Sequence, residues 1–398
     1  MYETIRVPTA GGESLHVEIA RPAGKRVPVI LTYSPYNTVS EGTAPNLAND
    51  DLGQRYVPRG YARAVADVIG TRNSTGCWDY GGRVEQQSGV DLVNALARKS
   101  WSTAKVAMIG GSYDGTTANM VAVRGDDAPG LKAIVPELAI SRWYGYAYGD
   151  GVRYFLNSQR PTDEGVDTPL AFDFGLARTP PTQPSPEAVE AMQDRLRPCD
   201  ADEHTAHGYD TSPDYDRFWR ERDYLQGASH VRAAAVVVHG WQDYNVKQSE
   251  GVNFYRALSG TPFKRLFMFQ GGHQSPPADR FLPVLDAFFA KTLKGAPVAP
   301  ALRAPVITQG RDSARAASAA RRAGRPRTAA RCVSPSAAAT ARARCRRPRR
   351  RRTRRTPISA RRARRSRCAT SAPRRPGSRT HRRRSRATCA SRARRGST

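Results

Sequence analysis

No apolar run in the 398-residue sequence approaches the length of about 18 residues that a membrane-spanning helix requires. The chain as written also lacks a basic segment followed by an apolar core at its start, so it predicts no signal peptide. No internal repeat is visible. We therefore expect no membrane partner and a cytoplasmic location for the chain as written, with secretion as the alternative if its N-terminus is truncated.

Cysteine is scarce, and none of the six cysteines stands in a C-x-x-C or similar metal-type spacing. Four of them lie beyond residue 311, which leaves Cys77 and Cys199 in the body of the chain. These two could form a disulfide in an exported protein, and two free thiols are an equally good interpretation. The sequence thus predicts no metal site.

Residues 311–398 contain no lysine and no Leu, Phe, Tyr, Trp or Met, and their only branched aliphatic residues are Val333 and Ile358. They hold 32 of the 64 basic residues, all arginine, and one of the 35 acidic residues, Asp312. This arginine-rich tail therefore carries a formal charge of +31, and the first 310 residues carry −2. Such a tail cannot bury enough apolar surface to offset its chain entropy, so we expect disorder.

Two origins would explain the arginine-rich tail. It consists almost entirely of Arg, Ala, Ser, Thr, Pro, Gly and Cys, the residues that GC-rich codons encode when read out of frame. This composition favours a frameshift near residues 305–311. An uninterrupted reading frame through Thr398 in an independent clone would contradict this hypothesis. A natural protamine-like arm is the alternative.

Thirty-two arginines would also bind phosphate, so a nucleic-acid-binding protein is the alternative function from another class. The tail has no aromatic residue for base stacking and no known binding module. We therefore expect only non-specific binding of nucleic acid through the tail.

The body of the chain is organised around residues 106–115, where an apolar run stops at two glycines followed by Ser112. The small, polar residues after the serine are typical of a helix start. Strand, tight turn with serine at its tip, and helix form the layout of a nucleophile elbow. Glycine suits the sharp turn because it has no Cβ, and the N–H groups of the helix start can stabilise a negative oxygen.

Apolar strands alternate with helical patterns on both sides of this stretch. Alternation of this kind implies right-handed crossovers and an α/β fold with a mostly parallel sheet covered on both faces. The strands are predicted at residues 27–33, 61–68, 105–109, 131–135, 233–238 and 264–269, with edge strands at 2–9 and 14–20. Helices are predicted at residues 83–97, from the elbow to about 123, at 246–258 and at 278–293.

The alternation stops between residues 139 and 229, a segment rich in aromatics and prolines that contains one helix-like stretch at 187–196. A long excursion between two sheet strands commonly forms a cap over a site. We predict a catalytic domain at residues 1–298 that carries an inserted, largely helical cap at 139–229.

Three polar residues, Ser112, Asp243 and His273, each follow a predicted strand. Functional groups gather at these strand ends in an open parallel sheet. A serine needs a base to remove its proton, and the histidine needs a carboxylate to fix its tautomer. Their chain order is that of the α/β-hydrolases. The sequence thus predicts a serine hydrolase that forms an acyl-enzyme and needs no cofactor.

Six segments resemble the cocaine-esterase-like (CocE/NonD) serine hydrolases and, within them, the Xaa-Pro dipeptidyl-peptidases. In order along the chain they are residues 34–37, 70–76, 110–115, 140–144, 239–243 and 271–273. The resemblance covers about residues 3–300, and the family writes its elbow Gly-x-Ser-Tyr-x-Gly. It implies Ser112 as nucleophile, Asp243 as orienter and His273 as base. It also implies an oxyanion hole made by the Tyr36 hydroxyl and the Tyr113 backbone N–H.

The resemblance further implies a small peptide or ester substrate, and either release of Xaa-Pro dipeptides or hydrolysis of acyl esters. Trp143 and Tyr144 resemble the family's proline pocket. A free substrate amine would need a carboxylate, and the candidates are Asp150, Asp163 and Glu164. The oligomeric state is left open.

Members of this family normally continue into a β-sandwich domain. Here such a domain would begin near residues 299–306, where the arginine-rich tail follows instead. We therefore predict that residues 299–310 are a linker or the start of a truncated β-sandwich, and that 311–398 are a disordered tail.

Overall fold

The computed structural model describes residues 1–37, 45–149, 151–153, 214–309 and 319–321. All of them belong to one compact unit, Met1–Thr328. The second unit, Ala329–Thr398, lies outside the described residues, as do most of the predicted cap and nearly all of the arginine-rich tail.

Twelve strands are present in the described part of the chain. They are β1 (Tyr2–Pro8), β2 (Ser14–Ala20), β3 (Val27–Ser34), β4 (Ala62–Asp67), β5 (Ser102–Gly111), β6 (Leu131–Glu137), β7 (Tyr148–Gly149), β8 (Val152–Arg153), β9 (Ala234–Gly240), β10 (Lys264–Phe269), β11 (Val306–Thr308) and β12 (Ala319–Arg321). Ten of them form one sheet in the order β1-β2-β4-β3-β5-β6-β9-β10-β11-β12, and β7 pairs with β8 separately.

The centre of the large sheet, from β4 to β11, is parallel throughout. Antiparallel pairs occur only towards its ends in the described residues, where β1 and β2 lie on one side and β12 on the other. The prediction of an α/β fold with a mostly parallel sheet is therefore confirmed.

One strand differs from its prediction. Residues 14–20 were expected at an edge, but β2 lies between β1 and β4, and six of its seven residues are buried. The edge prediction for β2 is wrong because pairing with two neighbours depends on contacts far away in the chain. β1 alone takes the outer position on that side.

Seven α-helices accompany these strands in the described residues. They are α1 (Asp51–Tyr56), α2 (Arg83–Arg98), α3 (Tyr113–Ala122), α4 (Trp143–Ala147), α5 (Arg217–Glu221), α6 (Gln248–Ala257) and α7 (Ala278–Lys294). Helices α2, α3 and α6 contribute to the core on one face of the sheet, and α1 and α7 to the core on the other.

Strand β5 shows why the central strands have continuous apolar sequences. Val106 and Met108 belong to the core on the α3 face, whereas Ala107 and Ile109 belong to the core on the α7 face. Successive side chains of a strand point to opposite faces, so a sheet covered on both sides needs apolar residues at every position. Because β3, β5, β9 and β10 run parallel, their carboxyl ends lie at the same edge of the sheet.

The residues just beyond the predicted catalytic domain remain attached to the sheet. Pro300–Leu302 form a short 3-10 turn, and β11 lies parallel to β10 with Leu266 opposite Val306.

Among the described residues, no helix is both long and apolar enough to span a bilayer. The predicted helix at residues 187–196 lies outside them.

Candidate active site

Ser112 lies at the turn between β5 and α3, and its backbone is strained. Its φ of 58° and ψ of −121° are angles that a non-glycine residue rarely adopts, and such strain costs on the order of 1–3 kcal/mol. Two hydrogen bonds hold the turn: Ser112 N–H donates to the Glu137 carbonyl at 2.8 Å, and Thr116 N–H donates to the Ser112 carbonyl at 3.0 Å. Residues whose backbone is held at such strained angles commonly belong to functional sites.

Close backbone approach explains two of the glycines around the serine. A Cβ added at Gly110 would lie 2.3 Å from the Asp114 Cβ, and one at Gly115 would lie 2.7 Å from the Gly110 carbonyl oxygen. A Cβ at Gly111 would meet nothing within 4 Å. In the spacing Gly-x-Ser-x-x-Gly, the path of the backbone thus requires glycine at the first and last positions, Gly110 and Gly115.

Asp243 and His273 are brought together by the loops after β9 and β10. His273 Nδ1 lies 3.0 Å from Asp243 Oδ2. The Asp243 side chain is completely buried, whereas the His273 side chain is one-fifth exposed. This pairing leaves Nε2 of the imidazole available to act on a hydroxyl group.

The other oxygen of Asp243 is held by the backbone. Asn245 N–H and Val246 N–H each donate to Asp243 Oδ1 at 3.0 Å. Bonds of this kind favour the charged carboxylate and fix its direction. Asp243 is therefore presented to His273 as an acceptor with a fixed direction.

His239, at the end of β9, is buried and lies 3.5 Å from Asp243 Oδ2. Its Nε2 lies 2.8 Å from the Val246 carbonyl, which assigns the ring proton to that nitrogen. Burial lowers the pKa of His239, so the ring is neutral and does not compete for the charge of Asp243.

The Ser112 hydroxyl makes no hydrogen bond to any described residue. Ser112 follows β5, two strands away from β9 in the sheet, at the same carboxyl edge as Asp243 and His273. Catalytic hydrogen bonds often tighten only when substrate is bound. The structure therefore brings the Asp–His pair together and places the serine on the same edge.

Tyr36 and Tyr113 lie side by side at this edge. Their ring centroids are 6.5 Å apart with the rings at 85° to each other. Tyr36 is 38% exposed, whereas the Tyr113 side chain is buried and donates its hydroxyl to Glu85 Oε2 at 2.7 Å. Tyr113 is the first residue of α3, where backbone N–H groups have no acceptor within the helix itself. Tyr36 and Tyr113 therefore contact each other next to the elbow, and their role in an oxyanion hole stays a prediction.

Trp143 is completely buried behind the elbow. Its ring centroid lies 5.6 Å from that of Tyr113, and its Nε1 donates to the Tyr224 hydroxyl at 3.0 Å. Tyr144 is half-buried and packs against Tyr148 and Trp219. Trp143 therefore contacts the elbow residue Tyr113, Tyr144 packs with other aromatic rings, and the contact of either residue with substrate stays a prediction.

The predicted amine anchors Asp150, Asp163 and Glu164 lie outside the described residues.

Cys77 is disulfide-bonded. Because Cys77 is the only cysteine among the described residues, its partner lies outside them, and pairing with Cys199 stays a prediction.

Three acidic residues around the elbow were missed by the sequence analysis. Burial raises the pKa of Glu85 to about 8, of Asp114 to about 7 and of Glu137 to about 8. Asp114 is the variable position of the elbow motif, and Glu137 ends the neighbouring strand β6, so both positions were visible in the sequence. Their desolvation was not, because an acidic residue in a turn or at a strand end is usually solvated, whereas Asp114 and Glu137 are only half-exposed to water here.

The family comparison concerns two-thirds of the chain. A family model described as X-Pro dipeptidyl-peptidase (S15 family) matches residues 11–275. The Xaa-Pro dipeptidyl-peptidase of Lactiplantibacillus plantarum is 30% identical over 269 residues, which cover 64% of this chain and 32% of that protein. A Streptomyces avermitilis protein named as a putative Xaa-Pro dipeptidyl-peptidase is 34% identical over 293 residues, which cover 65% of this chain and 40% of that protein. The chain therefore spans less than half the length of these relatives.

Solved structures share the fold at lower identity. A CocE/NonD family hydrolase from Staphylococcus aureus superposes with a TM-score of 0.60 at 19% identity, over 78% of this chain and 54% of that one. An α-amino acid ester hydrolase superposes with a TM-score of 0.54 at 21% identity, over 78% of this chain and 56% of that one. These likenesses show the α/β-hydrolase fold.

Proposed function

Because the chain belongs to the X-Pro dipeptidyl-peptidase (S15) family, we propose that it is a serine hydrolase that releases N-terminal Xaa-Pro dipeptides from small peptides. The observation that carries the proposal is the hydrogen-bonded pair of buried Asp243 and His273 on the same sheet edge as strained Ser112. This constellation suits acyl transfer, because nucleophile, base and orienter each follow a different strand end.

In this proposal His273 Nε2 takes the proton of the Ser112 hydroxyl while the serine oxygen attacks the scissile carbonyl. Asp243, held by two backbone N–H groups, keeps the imidazole in the required tautomer and stabilises its charged form. His273 then donates that proton to the leaving amine, and water hydrolyses the acyl-enzyme by the same route in reverse. The strain at Ser112 is consistent with this role, since it projects the hydroxyl clear of the sheet.

The negative oxygen that develops on the carbonyl needs fixed donors. The proposal assigns this task to the Tyr36 hydroxyl and the Tyr113 backbone N–H, whose residues lie side by side. Removing one such donor typically costs on the order of 3–4 kcal/mol in the barrier. The proposal assigns the aromatic surface for a proline ring to half-buried Tyr144, with completely buried Trp143 beside it in the chain. The substrate's amine would pair with a carboxylate such as Asp150 or Glu164.

Substrate choice tests this proposal directly. We expect faster cleavage of an Ala-Pro arylamide than of an Ala-Ala arylamide. Acetylation of the substrate amine should cost on the order of 2–5 kcal/mol in kcat/KM, because it leaves a desolvated carboxylate unpaired. Initial rates of arylamine release measure both effects.

The Ser112→Ala variant is the matched control, and it should lose both hydrolysis and labelling by a fluorophosphonate probe. Labelling that persists and maps to another serine would contradict the site. Equal turnover of Ala-Pro arylamide, its acetylated form and an aryl butyrate would show an acyl-ester hydrolase of the same fold instead.

A further inference from the structure

The imidazole of His239 is a completely buried polar group that the proposed reaction does not use. It lies at the end of β9, four residues before Asp243. Its Nε2 is 2.8 Å from the Val246 carbonyl oxygen. Because a carbonyl oxygen only accepts hydrogen bonds, the ring carries its proton on Nε2 and donates that proton to Val246.

Val246 is thereby held at both of its backbone groups. Its carbonyl accepts the His239 proton, and its N–H donates to Asp243 Oδ1 at 3.0 Å. Val246 is itself completely buried, so a carbonyl that lost its donor there would be left unsatisfied at a cost in free energy. The turn from Asp243 to Val246 is thus closed by the carboxylate on one side and by the imidazole on the other.

The same imidazole lies beside the carboxyl oxygen that contacts His273. His239 Nε2 is 3.5 Å from Asp243 Oδ2. That oxygen is 3.0 Å from His273 Nδ1. The two histidines therefore lie against one oxygen of Asp243, His239 from the interior and His273 from the partly exposed side.

Helix α6 fixes the opposite edge of the His239 ring. A Cβ added at Gly251 would lie 2.6 Å from His239 Nδ1 and 3.2 Å from its Cγ, so the helix backbone packs directly against the imidazole. Nδ1 has no hydrogen-bond partner among the described residues. A buried nitrogen without a partner costs free energy that an apolar side chain of similar size would avoid. What the imidazole contributes at this position is therefore its Nε2 donor.

We propose that His239 is a positioning residue for Asp243, acting through the backbone of Val246. Its Nε2 donor keeps the turn in the shape in which Asn245 and Val246 direct their N–H groups at Asp243 Oδ1. Oδ2 is then left to face His273 at hydrogen-bond distance. This inference rests on the proposed function, in which Asp243 orients His273.

Two substitutions of nearly equal size separate a hydrogen-bond donor from a packed side chain. Glutamine can place its amide nitrogen where Nε2 stands and donate to the Val246 carbonyl, whereas methionine fills the same space and cannot donate. His239→Met should lower kcat for Ala-Pro arylamide roughly 10–100-fold and change KM less than about twofold, because a misdirected Asp243 acts mainly on the transition state. His239→Gln should keep kcat within about threefold of the wild type, since the donor is retained.

Gly251→Ala displaces the ring without removing its donor. Its methyl group would occupy the space next to Nδ1, so kcat should again fall, by roughly 3–30-fold. In the His239→Met background the same change should cost less than about twofold, since methionine is flexible and the donor is already gone. This variant tests the inference even if His239→Met does not fold.

The proton on His273 Nδ1 supplies a readout that does not depend on turnover. A strongly hydrogen-bonded imidazole N–H resonates far downfield of the backbone amides, and its position follows the strength of the bond to Asp243. The resonance is assigned by its loss in His273→Ala. It should disappear or move upfield in His239→Met and stay in place in His239→Gln. A loss of packing alone would leave it unchanged in molecules that remain folded.

Asn119→Leu is the matched control, because it removes a similar donor elsewhere. Asn119 is a buried residue of α3 whose Nδ2 donates to the Ile140 carbonyl at 3.0 Å and whose Oδ1 has no partner among the described residues. The control should lower stability and leave both kcat and the His273 resonance unchanged. Equal kcat values for His239→Gln and His239→Met, with the resonance unchanged in both, would overturn the inference.

Failure of the proposed function gives a different result. If the wild type hydrolyses an aryl ester and not the peptide, the same variants are compared on the ester, because the Asp243–His273 pair serves either reaction. If Ser112→Ala remains active, the proposed function fails. The His273 resonance then still shows whether His239 positions Asp243.

Discussion

A single carboxyl oxygen of Glu85 collects three hydrogen bonds at the elbow. Glu85 Oε2 accepts from Trp78 Nε1, from Gly81 N–H and from the Tyr113 hydroxyl, each at 2.7 Å. Its Oε1 has no partner among the described residues. Glu85 thus ties the 70–82 loop to the first residue of α3, and it does so as a neutral acid at pH 7.

This arrangement predicts a stability that depends on pH. Burial, and then the charge of Asp79, raise the pKa of Glu85 to about 8 from an ordinary 4.5. Between these values the unfolded chain is ionised there and the folded chain is protonated, so the free energy of unfolding falls as the pH rises. Glu85→Gln removes this loss. We expect the variant to gain on the order of 2–5 kcal/mol relative to the wild type between pH 4.5 and 8.

Urea denaturation at several pH values measures this difference. Below pH 4.5 the two proteins should be equally stable, and above pH 8 the difference should stay constant. Asp126→Asn serves as a control, because its carboxylate is 88% exposed and should give no such trend. A constant difference across pH 4.5–8 for Glu85→Gln would show that Glu85 is already ionised in the fold.

At the scale of elements, the contact between β5, α3 and β6 shapes the elbow. Gly115 of α3 faces the end of β6, where an added Cβ would lie 2.9 Å from both the backbone N and the carbonyl oxygen of Glu137. Backbone atoms cannot move aside as a flexible side chain can. The helix therefore approaches the sheet this closely only with glycine at that position.

Two glycine substitutions test this contact. Gly115→Ala should lower the free energy of unfolding by about 1–3 kcal/mol or more, because the extra methyl group forces α3 away from β6. Gly111→Ala should change it by less than about 1 kcal/mol, since its Cβ has open space. Urea midpoints at unchanged m-value give the comparison. Equal losses for the two variants would mean that close approach is not what selects glycine at 115.

At the scale of the whole molecule, the arginine-rich tail differs from the rest of the chain in net charge. The first 310 residues carry a formal charge of −2 and the arginine-rich tail carries +31. Dense positive charge binds nucleic acid by releasing counterions from phosphates, with no need for base contacts. Since the tail has no aromatic side chain, stacking cannot add base preference.

We therefore expect the full chain to retard any duplex DNA in a gel-shift titration. With about 6–10 phosphate contacts the affinity should fall by roughly 10³–10⁵ between 50 and 200 mM salt. Two duplexes of equal length and unrelated sequence are the control, and they should bind equally. A sequence-selective complex that survives high salt would favour the nucleic-acid-binding alternative over the hydrolase.

The catalytic layout of this protein was predictable from the sequence because it depends on local rules. A strand that ends in Gly-Gly-Ser must turn sharply, and apolar runs bounded by polar turns predict strands whichever neighbours they acquire. The order Ser112, Asp243, His273 along such strands indicated one shared edge before any contact was known. The observed hydrogen bond between Asp243 and His273 is consistent with that prediction.

Tertiary structure alone decided which groups support this layout. β2 became an interior strand, and Glu85 became a buried acid bonded to Trp78 and Tyr113. Each of these facts depends on pairs far apart in the chain, such as Glu85 with Tyr113, and no local periodicity records such pairs. Desolvation is likewise a property of everything packed around a group, so the raised pKa values at the elbow exist only in the folded protein.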